Sequence, residues 1–151
     1  MKESLGIISD THGLLRLEVL KAFKGVHRIL HAGDIGDPGV LEGLRAIAPV
    51  LAVRGNNDRG AWARQIPESR IVRAGAISIY MLHDVKTMKL PPPRKFHVVI
   101  SGHSHKPSVE RREGVLFVNP GSAGPRRFKL PISIARLSIQ GMSVNAELIE
   151  L

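Results

Sequence analysis

The chain contains no cysteine. This excludes disulfides, thiolate nucleophiles, iron–sulfur ligation and every Cys-based zinc site, so any metal must be held by His, Asp, Glu or Asn. Aromatic residues are scarce, with four Phe, one Trp and one Tyr, which argues against a stacked aromatic platform for bases. No apolar run approaches the roughly 20 residues of a membrane-spanning helix, and no membrane partner is expected. The first apolar run, Leu5 to Ile8, is too short for a signal-peptide core and no small-residue cleavage site follows it. A cytoplasmic location is expected. Acidic residues are also in deficit: 13 Asp and Glu stand against 22 Lys and Arg, a net charge of +9. Such a field draws in phosphate-bearing partners. With so few aromatics, the charge reads as attraction to anions rather than base recognition, or as a plain Arg-rich solvated surface.

What is present is one domain's length, 151 residues, enough to bury a core without staples, and residues 1–151 are expected to form a single domain. Apolar runs at Leu5–Ile8, Arg28–Ala32 and Val50–Val53 read as strands. They alternate with helical spacing at Leu15, Val19, Ala22 and Phe23, and again at Val40, Leu41, Leu44, Ile47 and Ala48. Gly25 closes the first helix, and Asp37-Pro38 starts the second as N-cap and first helical residue. The order strand–helix–strand–helix–strand implies a parallel sheet. The second half changes character. Hairpins are expected around Ala74-Gly75, Glu113-Gly114 and Gln140-Gly141, with a further strand at His97–Ser101, and Pro91-Pro92-Pro93 breaks any helix between Asp84 and Lys95. The expected fold is α/β, two stacked sheets with helices outside.

The chemistry-bearing residues fall where strands end: Asp10-Thr-His12, Gly33-Asp34, Gly55-Asn56-Asn57-Asp58, His83-Asp84 and Gly102-His103-Ser-His105. In open α/β sheets functional groups gather at the carboxyl ends of strands, so remote segments are expected to meet in one crevice. Two carboxylates, four imidazoles and one amide exceed what one ion needs. If one carboxylate bridges, they supply four bonds to each of two ions, leaving positions open for water and substrate. Oxygen and imidazole ligands suit Mn²⁺, Fe, Zn²⁺, Co²⁺ or Ni²⁺, and two-metal sites of this kind perform in-line attack on phosphorus. Singly, Asp-x-His or Gly-Asp means little; the ordered set argues against chance.

This order, followed by Asn119-Pro120-Gly121-Ser122, resembles the calcineurin-like metallophosphoesterases, and the compact forms of the motifs are similar to the small prokaryotic phosphodiesterase branch. The likeness runs from Ser9 to about Arg127. It implies a sandwich of two mixed β-sheets flanked by helices (αββα), and a dinuclear phosphodiesterase in which a hydroxide held between two metal ions attacks in line, with Mn²⁺ the first choice. It implies Asp10, His12 and His105 on the first ion, Asn56, His83 and His103 on the second, and Asp34 bridging. Asp34, Asn56 and His83 are then the residues expected to carry catalysis. Many members of the superfamily carry a His after the Gly-Asn to protonate the leaving group; Asn57 cannot supply a proton, and Asn57→His is expected to restore a donor. The family's longer helical insertion between His83 and His103 is replaced by a short proline-rich segment, so a more open mouth is expected.

Other residues carry weaker signals. Asn57, Arg126 and Arg127 are candidate substrate contacts, the arginines as bidentate phosphate donors, with Arg54 and Arg59 behind them; the alternative for each arginine is plain surface charge. His31 and His97 read as hydrogen-bonded structural histidines, His31 near enough to Asp34 to support it, and His27 as surface. Asn119–Ser122 reads as a turn under the site. Phosphate esters are the expected partners. Nucleic acid fits the charge without a motif, and self-association is left open by the sequence. Two rivals stand beside the phosphodiesterase: a non-catalytic interaction module of the same fold, of which a retromer subunit is the precedent, and a nuclease. The complete ligand set argues against the first.

Overall fold

The computed structural model describes residues 2–88 and 96–151. In chain order the elements are β1 (Lys2–Ile8), α1 (Leu17–Ala22), β2 (Arg28–His31), α2 (Pro38–Arg45), β3 (Val50–Ala52), α3 (Ala61–Arg64), β4 (Ser69–Ala74), β5 (Ile77–Leu82), a short 3₁₀ turn (Val85–Thr87), β6 (Val98–Ile100), β7 (Ser108–Arg112), β8 (Val115–Asn119), β9 (Ser133–Gln140) and β10 (Ser143–Glu150). They form two mixed sheets of five strands, ordered β10-β9-β1-β2-β3 and β4-β5-β6-β8-β7. Strands β1, β2 and β3 run parallel, as do β5, β6 and β8. The three expected hairpins are β4–β5, β7–β8 and β9–β10.

Alternation along the strands builds two cores. Leu5, Ile7 and Leu30 of the first sheet meet Ile77, Ile79, Met81, Val98, Ile100, Leu116 and Val118 of the second. Their neighbours Ile8, Ile29 and Ile134 point to the other face, against Val19 and Phe23 from the α1 side and Val40, Leu41 and Leu44 of α2. Burying each such side chain is worth about 1.5–3 kcal/mol. Gly6 makes the α1 contact possible, because a Cβ there would lie 2.8 Å from the Phe23 ring. Asp37 caps α2 as expected, its carboxylate accepting from the Gly39 N–H at 2.7 Å.

Three elements depart from the sequence pattern. Helix α1 is confined to Leu17–Ala22, because Arg16 before it is extended (φ −78°, ψ 145°) and Phe23 already ends it. Strand β1 begins at Lys2, three residues before the apolar run, because Lys2, Glu3 and Ser4 pair through their backbones with Gln140, Ile139 and Ser138 of β9. Helix α3 is too short to show periodicity; Trp62 packs it on the first sheet's outer core. Among the described residues, α1 and α2 likewise cover the first sheet, and no α-helix lies on the outer face of the second. No helix of the described residues is long and apolar enough to cross a membrane. The expected helix break at residues 91–93 and most of the proline-rich segment lie outside the described residues.

Candidate metal centre

The loops leaving β1, β2, β3, β5 and β6 converge. The Asp10 N–H donates to Gly33 O at 2.9 Å, the His12 N–H to Asp34 O at 3.0 Å and the Gly13 N–H to Ile35 O at 2.7 Å, zipping the first two loops together. The Gly102 N–H donates to His83 O at 2.8 Å and joins the loops after β5 and β6. Five residues of these loops, Asp10, His12, Asp34, His103 and His105, sit at positive φ, between 46° and 71°. Each costs on the order of 1 kcal/mol or more, and such strain collects at functional sites. Here the side chains, rather than glycine's freedom, are what the positions need.

Those side chains face one another. Asp10 is fully buried. Its Oδ2 accepts from the Ser9 hydroxyl at 2.7 Å and the His103 N–H at 3.1 Å. Its Oδ1 faces Nε2 of His105 at 3.4 Å, of His83 at 3.8 Å and of His12 at 3.9 Å. Asp34 Oδ2 stands 3.3 Å from His83 Nε2 and 3.8 Å from His12 Nε2. The His83 Nδ1–H donates to Ala32 O at 2.8 Å, which turns its Nε2 lone pair inward. Two groups have the compactness of ligand sets: Asp10, His12 and His105, and Asp10, Asp34 and His83. Among the described residues Asp10 Oδ1, His12 Nε2, His83 Nε2 and His105 Nδ1 are buried without a hydrogen-bond partner. A buried polar atom left alone is costly and rare; three of these, Asp10 Oδ1, His12 Nε2 and His83 Nε2, meet in one pocket, and this set of oxygen and imidazole nitrogen fits divalent transition metal. Asp10 belongs to both groups, and Asp34 to one.

His103 and Asn56 stand at the edge. The His103 ring lies edge-on to His83 at 5.2 Å, and its Nε2 is 3.8 Å from Asp84 Oδ2. Asn56 is exposed. Both line, with His83, Arg54, Glu68 and Asp84, a cleft of about 310 Å³. Arg54 is tied to Glu68 at 2.8 Å there. Asn57, a candidate substrate contact in the sequence, is tied to Asp34: its N–H donates to Asp34 Oδ1 and its side-chain amide to Asp34 Oδ2, both at 2.9 Å. Arg126 and Arg127 are exposed on a turn and make no side-chain hydrogen bond among the described residues. Arg59 is exposed too.

The electrostatics follow from burial and pairing. Burial alone would raise the Asp34 carboxyl; the His83 imidazole 3.3 Å away and the two Asn57 donations overcome it and hold Asp34 well below the usual carboxylate range. Asp10 is also lowered: burial opposes, but His105, His83 and Ser9 prevail. His83 is raised, because Asp34, Asp10 and the Ala32 carbonyl outweigh its burial. Two ionised carboxylates thus form an acidic pocket inside a chain of net charge +9.

A supporting shell holds this arrangement. His31 is fully buried and burial drives it down to about 4. Its Nδ1 accepts from the Gly33 N–H at 3.1 Å, leaving Nε2–H for the Thr11 hydroxyl at 3.0 Å, which donates to Ile35 O at 2.9 Å. The network therefore assigns a neutral brace, as the structural reading expects. His97 is likewise structural, its Nδ1 accepting from the Ser78 N–H, and His27 accepts from the Ser4 N–H. Asn119 donates to Gly102 O and Ser104 Oγ, and Ser122 Oγ donates to Asp10 O; the expected turn does underpin the site. Two further supports are Asp58 and Arg16. Asp58 accepts from the N–H groups of Ile35, Gly36 and Gly55 at 2.9–3.2 Å. Its signal was its place two residues after Asn56 at a strand end. Arg16 donates to Ala123 O and Gly124 O at 3.3 and 3.1 Å, and nothing in its sequence context marks it.

Comparison with known proteins agrees with this geometry. Residues 4–142 match the calcineurin-like phosphoesterase superfamily domain. A probable metallophosphoesterase of Methanothermobacter thermautotrophicus is 35% identical over 96% of this chain and 91% of its own. The phosphodiesterase MJ0936 of Methanocaldococcus jannaschii is 29% identical over 78% of this chain and 82% of its own. Among solved structures, an archaeal phosphodiesterase superposes with TM-score 0.80 at 24% identity, covering 98% of this chain and 99% of that one. Vps29 of Chaetomium thermophilum superposes with TM-score 0.78 at 20% identity, covering 99% and 97%.

Proposed function

Because the chain belongs to the calcineurin-like phosphoesterase superfamily, we propose that it is a metal-dependent phosphodiesterase, residues 1–151 working as one domain around two divalent ions, Mn²⁺ first. The observation that carries this reading is the convergence of Asp10 Oδ1, His12 Nε2 and His83 Nε2, buried and without partners, in one acidic pocket. Asp10, His12 and His105 would hold the first ion. Asp34 and His83, with Asn56 and His103 at the cleft, would hold the second, Asp34 being shared. When bound, such ions act as Lewis acids on the phosphate oxygens and make hydroxide available from water near neutral pH.

The chain's own residues do the rest. Asp10 and Asp34 remain ionised throughout the neutral range and retain cations. Asn57 fixes both Asp34 oxygens, so the carboxylate cannot rotate away. The Ala32 carbonyl keeps the His83 proton on Nδ1 and Nε2 free to bind. Across the surface the net charge of +9 raises the local concentration of anionic ester. In the cleft, Arg54, paired with Glu68, would be the cation nearest the ester's oxygens. Hydrolysis breaks the bond from phosphorus to the leaving oxygen as water's oxygen bonds phosphorus, and the leaving oxygen departs as an anion. Asn57, an amide already engaged by Asp34, offers it no proton.

The test is turnover of chromogenic aryl phosphomonoesters and phosphodiesters in a panel of Mn²⁺, Ni²⁺, Co²⁺, Zn²⁺ and Mg²⁺, with His105→Ala alongside. The expected result is metal-dependent turnover, diesters preferred, lost in His105→Ala. Metal-independent turnover, or a monoester preference, contradicts the proposal.

A further inference from the structure

Phe128 is 89% exposed and adopts φ 53°. Each fact is unfavourable by itself. A phenylalanine in the left-handed region lacks the short polar side chain by which Asn or Asp offsets the strain, and an aromatic ring left in water forgoes its burial. The turn that holds it out reads Pro125-Arg126-Arg127-Phe128-Lys129-Leu130-Pro131. It is closed by the Leu130 N–H donating to Arg127 O at 3.1 Å. Arg126, Arg127 and Lys129, its neighbours in the chain, are all exposed. No Asp or Glu occurs between Glu113 and Glu147, so nothing in this stretch neutralises them. The scarcity of aromatics in the composition spoke against base stacking, yet one of the four phenylalanines is spent here.

The turn is anchored to the metal centre. Gly124 packs against the Asp10–Thr11 backbone so closely that a Cβ would lie 2.5 Å from both carbonyl oxygens, and Arg16 clamps the same segment. Phe128 is four residues further on, so its Cα lies within about 14 Å of that of Gly124, a span a short oligonucleotide covers.

We propose that the Arg126–Lys129 turn binds single-stranded nucleic acid, Phe128 stacking on a base while Arg126, Arg127 and Lys129 hold adjacent phosphates, and so leads the strand towards the metal centre. Cutting of that strand rests on the phosphodiesterase reading; binding does not. A single strand is favoured over a duplex, whose bases are already stacked and hidden. It is favoured over a lipid surface because Phe128 is the only exposed large apolar residue in the turn, and one inserted ring beside three cations gives too weak a membrane anchor.

The experiment uses the protein as purified and a short fluorescent single-stranded DNA with phosphorothioate linkages, which resist hydrolysis, so that binding is read apart from turnover. Phe128→Ala is expected to weaken binding by about 5-fold to 150-fold. Phe128→Trp is expected to keep binding and to lose tryptophan fluorescence as the strand is added. Arg126→Gln with Arg127→Gln is expected to weaken binding and flatten its salt dependence. Equal binding by wild type and Phe128→Ala, no wild-type binding at low salt, equal affinity for duplex, or a Phe128-dependent preference for anionic vesicles over the strand would each overturn the proposal. A strand bound through Phe128 by a protein that turns over no ester upholds it and instead removes the phosphodiesterase reading.

Discussion

Asn57 grips Asp34 at both oxygens, its N–H on Oδ1 and its side-chain amide on Oδ2, each at 2.9 Å. This relationship changes what a substitution at position 57 does. From the sequence, Asn57→His restores a missing proton donor; in the structure it removes the amide that orients Asp34. Partners of this kind are typically worth about 10–100-fold in metal affinity or activity. Asn57→Ala and Asn57→His are both expected to lose about that much, for aryl and alkyl esters alike, measured as kcat/KM and as metal retained after gel filtration. A gain on alkyl esters in Asn57→His alone would show that the imidazole reaches the leaving oxygen.

Asp34→Asn is expected to do more damage than Asn56→Ala. Asp34 is nearly buried, keeps its charge and faces both His83 and His12, whereas Asn56 is neutral and exposed at the cleft. Asp34→Asn should lose bound metal together with turnover, and Asn56→Ala should keep metal with reduced turnover. Metal analysis and kinetics on the same samples decide it; full metal content in Asp34→Asn would remove its shared role.

His31 makes the fold acid-sensitive independently of the metals. Its proton affinity falls from the ordinary 6.5 to about 4 on folding, so the unfolded chain takes up a proton that the folded one refuses. The contribution of His31, about 3 kcal/mol, is therefore present above pH 6.5, declines as pH falls below it and is gone near 4. His31→Gln cannot titrate, so the stability gap between wild type and variant should shrink from pH 7.5 to pH 4.5. Urea unfolding in chelator measures this, and a gap that stays constant over that range would contradict it.

Gly102→Ala should disable the site with little change in the core. A Cβ at position 102 would overlap Ser9 Oγ and lie 2.7 Å from Asp10 Oδ2. The expected result is weakened metal binding with a near-native circular dichroism spectrum. Unchanged metal affinity would mean that the Asp10 loop yields freely.

The candidate ligands were legible in the sequence because each sits where an apolar run stops, and the alternation of those runs with helical spacing indicated the parallel strands β1, β2 and β3. The second sheet was legible in the hairpin turns at Ala74-Gly75 and Glu113-Gly114, whereas the opposite faces of Ile7 and Ile8 were not, because both lie in one unbroken apolar run. The edges were not legible. Lys2–Ser4 enter β1 through backbone pairing, which leaves no apolar trace, and α3 is a single turn without a period. Nor could spacing distinguish Asn56 from Asn57. Which amide reaches Asp34 depends on how the loop after β3 is folded over the Asp58 carboxylate, three backbone N–H groups converging on a residue that looks like any other Asp. The exposure of Phe128 was hidden for a similar reason: composition counts aromatics but does not say which ones a turn holds out.

The central claim is that the two ligand groups around Asp10 are a working metal centre for ester hydrolysis. Its most direct measurement is a titration of chelator-stripped, dialysed protein with Mn²⁺, following bound metal per chain and turnover of an aryl phosphodiester in the same samples. Stripped protein is expected to show no turnover, and the rate to rise and saturate as the second ion binds. Undiminished turnover in protein shown to be metal-free would contradict it, as would full occupancy without turnover of any diester, the behaviour of a metal-binding module that does no chemistry.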